Sequence, residues 1–302
     1  MDNKFKNIKK DFNLKDVSII YVFSIILYFI LSLIVSAILN EFLPKGEELN
    51  VYFSKKSWYP IVSFSPFPIS FVLVTLLYCL FKEKNIVSYV IMEEKPSSKI
   101  DILLCTFLSI FLVFGLSNVN GLFIEFINKI TNYKAQPVLL PDFSFLNFVI
   151  SFVFVCVIPA ICEEILFRKF LLNSLKGLNL FISTLLIGLL FSLFHFNLSQ
   201  TLFQFIMGCI FVIVVKATKS TYTSIFMHFL NNFIVLVCYY INPNLVVPIW
   251  IVIISIILSL LIIIYFAIKA IRLEQREKCP FKSYYAIFIP IAFTLVLWVM
   301  LI

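Results

Sequence analysis

The chain has 302 residues, 62% of them hydrophobic and only 13% charged. A water-soluble domain is nearer half apolar and a quarter charged, so the composition excludes one. The formal charge of +8 does not indicate nucleic acid, because Lys and Arg are distributed by loop and form no basic face with interleaved aromatics.

Nine apolar runs follow one another, at about 17–39, 61–81, 102–124, 144–172, 179–196, 200–217, 221–241, 246–268 and 284–302. Each is long enough to cross about 30 Å of hydrocarbon. A β-barrel would show alternating segments of roughly ten residues instead. The expected fold class is therefore all-α, a polytopic transmembrane helix bundle of about nine spans. Eight spans follow if the second run, whose start carries Pro60, Pro66 and Pro68, does not cross. The polar, basic stretch 1–16 precedes a run too long for a signal-peptide core and is read as the cytoplasmic side of a retained anchor. Three stretches result: 1–143 with three spans, 144–242 with four, and 243–302 with two.

Counting Lys and Arg in alternate loops gives an orientation. Nineteen fall on the N-terminal side, from Lys4 to Lys15, Lys82 to Lys99, Arg168 to Lys176, Lys216 and Lys219, and Lys269 to Lys282. Five fall opposite: Lys45, Lys55, Lys56, Lys129 and Lys134. The split predicts a multi-pass protein of the cell membrane with a cytoplasmic N-terminus and an external C-terminus. The seven cysteines form no CxxC pair and read as buried free thiols.

Ionisable groups at membrane depth are costly and usually functional. The chain has two histidines, His195 and His228, and both lie in apolar runs. The pair Glu163–Glu164 interrupts another, followed by Arg168. Helix residues four apart share a face, so Glu164 meets Arg168. Glu163 is turned about 100° away and is free for proton chemistry. The sequence midpoint of Glu163 and His195 is residue 179, beside the turn signal Lys176-Gly177-Leu178-Asn179. Antiparallel helices joined there bring the two to similar depth. His228 and Asn232 share a face, where a neutral imidazole and a carboxamide offer two donors to a developing oxyanion. His228 fits less well, since straight, level helices leave it about 13 Å from the depth of His195. Each feature alone also fits simple packing: a buried ion pair, a hydrogen-bonding His, an Asn joining two helices.

Glu163-Glu164-x-x-x-Arg168, Phe191-x-x-x-His195 and His228-x-x-x-Asn232 together resemble the three motifs of the CPBP intramembrane protease family. That family includes the Rce1-type CAAX prenyl endopeptidases and the bacterial Abi and bacteriocin-immunity proteins. The resemblance covers about residues 144–242. It implies hydrolysis of a peptide bond in a peptide or membrane-anchored protein substrate within the lipid bilayer. By similarity, Glu163 and His195 activate a water, His228 and Asn232 hold the oxyanion, and Glu164 and Arg168 position the site. No cofactor is expected, the alternative being zinc held by Glu163, His195 and His228. Two other classes fit the same residues: a proton-coupled transporter, and a non-catalytic immunity or binding protein. The absence of an inverted repeat argues against the transporter.

Overall fold

The structure is a computed structural model that describes residues 12–83, 94, 97–131, 138–175, 177–242, 246–274 and 285–301. The described residues are helical and contain no strand. The longer helices are α1 (Leu14–Glu41), α2 (Pro66–Lys82), α3 (Lys99–Thr131), α4 (Phe145–Leu172), α5 (Leu180–Phe194), α6 (Thr201–Thr218), α7 (Thr221–Ile241), α8 (Ile249–Arg272) and α9 (Phe288–Leu301). Each apolar run thus has a helix at its place. Among the described residues, six helices are long and apolar enough to cross a membrane: α1, α3, α4, α6 (with the turn that precedes it), α7 and α8. The helices α2, α5 and α9 are shorter.

The prolines interrupt the start of the second run, as expected, and begin a new helix there. A six-residue helix, Tyr59–Phe64, ends before Ser65, and Pro66 and Pro68 occupy the first turn of α2. A missing N–H costs nothing there. The turn expected near residue 179 is present. The Leu178 amide donates to the Leu175 carbonyl, and the Asn179 side chain accepts from the Ile182 amide to cap α5. Lys176 itself lies outside the described residues. So do Lys4, Lys6, Lys9, Lys10, Lys84, Lys95, Lys134, Arg276, Lys278, Lys282 and Cys279, on which part of the charge count rests. The other six cysteines are free thiols.

One apolar core joins α1, α2, α4 and α5, with Tyr21 edge-on to Phe167 and Phe67 edge-on to Phe194. The last helix closes against the first: Tyr21 Oη and Thr294 Oγ1 lie 3.1 Å apart, and Ser18 Oγ donates to the Ala286 carbonyl at 2.8 Å. A second core joins α3, α6, α7 and α8 around Leu108, Phe211, Met227 and Phe266. It is flanked by the ion pair of Asp101 and Lys269 at 2.6 Å. The two cores meet where α4 and α5 of the first pack against α6 and α7 of the second.

Glycine sets the spacing of α5 and α6. A Cβ on Gly208 would stand 3.0 Å from the Gly188 Cα and 3.1 Å from the Phe191 Cβ. The two backbones pass at a distance only small residues permit.

Candidate active site

The site grows out of an irregularity in α4. Pro159 has no N–H, so an α-helical ladder cannot cap the Val155 carbonyl from position 159. Wide i→i+5 turns run over Phe152–Val157 and again over Ile165–Leu172, on either side of a regular stretch, Ile158–Glu164. Such turns are frequent at functional sites. Here they flank the two glutamates.

Glu164 and Arg168 are both completely buried. Arg168 Nη1 donates to Glu164 Oε1 at 2.7 Å, as the four-residue spacing predicts. Arg168 Nη2 donates to the Gly208 carbonyl at 3.2 Å. The guanidinium stands 4.5 Å from the ring centre of Phe191 and 5.0 Å from that of Phe211. The cation is thus neutralised by one carboxylate and lined by aromatic faces, an arrangement that makes its burial tolerable.

Glu164 has a second partner that helix spacing did not indicate. His228 Nδ1 lies 3.0 Å from the same Oε1. A carboxylate only accepts, so the Nδ1 of His228 carries the proton. In the neutral ring this leaves Nε2 on the cavity side without a hydrogen. His195 obeys the same logic. Its Nδ1 lies 2.7 Å from the Phe191 carbonyl, which likewise only accepts. Both rings therefore turn Nε2 the other way.

Both Nε2 atoms face Glu163. Its Oε2 lies 3.7 Å from that of His195 and 3.9 Å from that of His228. This oxygen is buried and has no hydrogen-bond partner among the described residues. The depth mismatch expected for His228 is absent, so the helices do not stand straight and level. His195 is also not inside a helix. It caps the end of α5, and Phe196 after it takes a left-handed backbone with φ 46°. Irregular backbone at this depth belongs where it lines a cavity.

Asn232 sits one turn after His228. Its Nδ2 donates to the Val155 carbonyl at 3.2 Å, the acceptor that Pro159 leaves uncapped. Glu163, His195, His228 and Asn232 all line one cavity of about 430 Å³. Glu164, Arg168 and Phe191 stand behind them as support. Tyr28, Phe67 and Asn120, from α1, α2 and α3, complete the walls together with Gln200, Gln204 and Asn231. Sequence reasoning missed the polar residues among these, although Gln200 and Gln204 recur at four-residue spacing at the start of an apolar run and Asn231 adjoins a motif residue.

Glu94 ties α4 to α7 from outside the bundle, accepting from Lys169 Nζ and from the Thr221 amide at the start of α7. Burial alone would raise its carboxyl, but these donors hold it below the usual carboxylate range.

The zinc alternative can be tested on the donor geometry. Two ligands on a tetrahedral zinc at about 2.0–2.1 Å stand about 3.3 Å apart. The Glu163–His separations are wider, and among the described residues no group of three or more His, Cys, Asp or Glu side chains is arranged to hold a metal ion. The residues as they stand do not fit such a site.

Residues 145–234 match the family model described as type II CAAX prenyl endopeptidase, Rce1-like. No curated protein and no solved structure matches the chain. The matched stretch spans the motif-bearing helices, from the start of α4 to Asn232 and just beyond. Glu163, Glu164, Arg168, His195, His228 and Asn232, whose spacing resembles the motifs of intramembrane proteases, all fall within the stretch 145–234 that is similar to the Rce1-like CAAX endopeptidases.

Proposed function

We propose that this protein is an intramembrane endopeptidase that cleaves a membrane-associated peptide or protein with a water activated by Glu163 and His195. The observation that carries the reading is the unpartnered Oε2 of Glu163, set between the Nε2 atoms of two histidines at the wall of a cavity. A water there can donate one hydrogen to Glu163 and one to the lone pair of His195 Nε2. As its oxygen bonds to the substrate carbonyl carbon, Glu163 takes the proton. The carbonyl electrons move onto oxygen, and that oxyanion accepts from the free Nδ2 hydrogen of Asn232. His228 stands beside this site with Nε2 3.9 Å from Glu163 Oε2, and its Nδ1 contact with Glu164 holds the ring in place. The C–N bond then breaks, and the leaving nitrogen takes the proton back from Glu163. Products are a free carboxyl terminus and a free amine. No metal is needed.

The match to CAAX endopeptidases supports a membrane-anchored protein substrate, of which a prenylated C-terminus is one form and a processed peptide another. We also propose the orientation that the charge count gives, with the N-terminus cytoplasmic and the C-terminus external. The test of function is a comparison of peptides in membranes carrying the wild-type protein or Glu163→Gln. An uncleaved precursor should accumulate only with the variant. Identical peptide sets would contradict the proposal.

A further inference from the structure

We infer that Asn231 and Asn120 bind the main chain of an extended peptide, each accepting one backbone N–H of the substrate through its side-chain oxygen. The inference rests on the endopeptidase reading above and adds to it what grips the substrate.

The orientation of the carboxamides follows from their neighbours. The Val155 carbonyl can only accept, so Asn232 must turn its NH₂ towards it. The Asn232 oxygen then faces the other way and accepts from Asn231 Nδ2 at 3.4 Å. Asn231 is left with Oδ1, which has no hydrogen-bond partner among the described residues, in a residue only 5% exposed that lines the cavity. On α3, Asn120 repeats the pattern. Its Nδ2 donates to the Ser199 carbonyl at 2.9 Å, and its buried Oδ1 is likewise without a partner among the described residues. It lines the same cavity.

Two carboxamides from two helices are thus each anchored by the NH₂ end and bare at the oxygen end. A bare carbonyl oxygen in a low-dielectric wall is costly to leave unpaired. What these oxygens accept is an N–H or O–H. A lipid or prenyl chain has none to give, whereas an extended peptide presents one at every residue. Beside Asn231, Asn232 keeps one N–H to donate. The pair therefore offers an acceptor next to a donor, the complement of the N–H and C=O that one residue of an extended chain turns to the same side, with the donor on the carbonyl to be attacked.

The probe is a mixture of random-sequence synthetic decapeptides in detergent, with cleavage read by mass spectrometry. The best-cleaved peptide is then remade with each N–H methylated in turn. In the wild type, methylation at one or two positions should lower kcat/KM about tenfold, the worth of one neutral hydrogen bond. Asn120→Leu should show a similar loss, mostly in KM, and methylation at one of those positions should then cost nothing further. Asn231→Leu should be silent at the other position and also lower kcat, because it releases Asn232. A merely structural role would slow all the peptides alike. Methylation losses that are the same in wild type and both variants would overturn this inference and leave the endopeptidase reading standing. Failure of the wild type to cleave any peptide would take down both.

Discussion

His228 and Glu164 are 64 residues apart in the chain, yet Nδ1 of one lies 3.0 Å from Oε1 of the other. The same oxygen takes Arg168 at 2.7 Å. Glu164 therefore serves two purposes. It neutralises a buried guanidinium, and it fixes which nitrogen of His228 faces the cavity. Glu163, one residue earlier, points into the cavity. Adjacent carboxylates on one helix thus divide support from chemistry.

Glu164→Ala should cost stability before it costs anything else. It leaves Arg168 buried and unpaired, a loss of about 3–5 kcal/mol for one partner of a buried pair. Thermal unfolding in detergent measures this. Adding Arg168→Leu should restore part of the loss, since removing both charges is far milder than removing one. A Glu164→Ala protein as stable as wild type would contradict the assigned role.

Gly208→Ala tests the close approach of α5 and α6. The new Cβ would meet the Gly188 backbone at 3.0 Å and Phe191 at 3.1 Å, and the Gly188 backbone cannot rotate away. Overpacking of this kind costs roughly 1–3 kcal/mol. It also displaces the carbonyl that holds Arg168. The expected result is a lower melting temperature with reduced activity. An unchanged melting temperature would mean that the helices can separate freely.

Much of this was legible in the sequence, for definite reasons. Apolar length marks a helix whatever it packs against, so each run has its helix. Spacing of four gave the Glu164–Arg168 contact, because both partners lie on one helix. The midpoint argument gave Glu163 opposite His195, because a marked turn links their helices. Contacts between helices with no short connection were not legible: His228 with Glu164, or Asn232 with Val155. Nor was the shape of α4, although Pro159 was its signal. The cavity walls from α1, α2 and α3 lie outside the motif region altogether.

Topology can be checked on a cysteine-free background. Lys45→Cys, in the turn after α1, should react with an impermeant thiol reagent from outside intact cells. Lys82→Cys, at the end of α2, should react only after permeabilisation. The reverse pattern would invert the proposed orientation.

Metal dependence is decided by elemental analysis and chelation. Purified protein is expected to hold far less than one zinc per chain and to keep its activity through prolonged treatment with a strong chelator. Stoichiometric zinc, lost together with activity in His195→Ala and His228→Ala, would make the three residues ligands around a metal-activated water instead.

The most direct measurement is peptide cleavage by purified Glu163→Gln, with folding verified by its melting curve. Glutamine keeps the size of the side chain and removes the base. Cleavage is expected to fall to background, whereas Asn232→Ala, which removes one oxyanion donor, should retain activity about 100- to 1,000-fold below wild type. A folded Glu163→Gln protein that cleaves within about tenfold of wild type would contradict the assignment of Glu163 as the base.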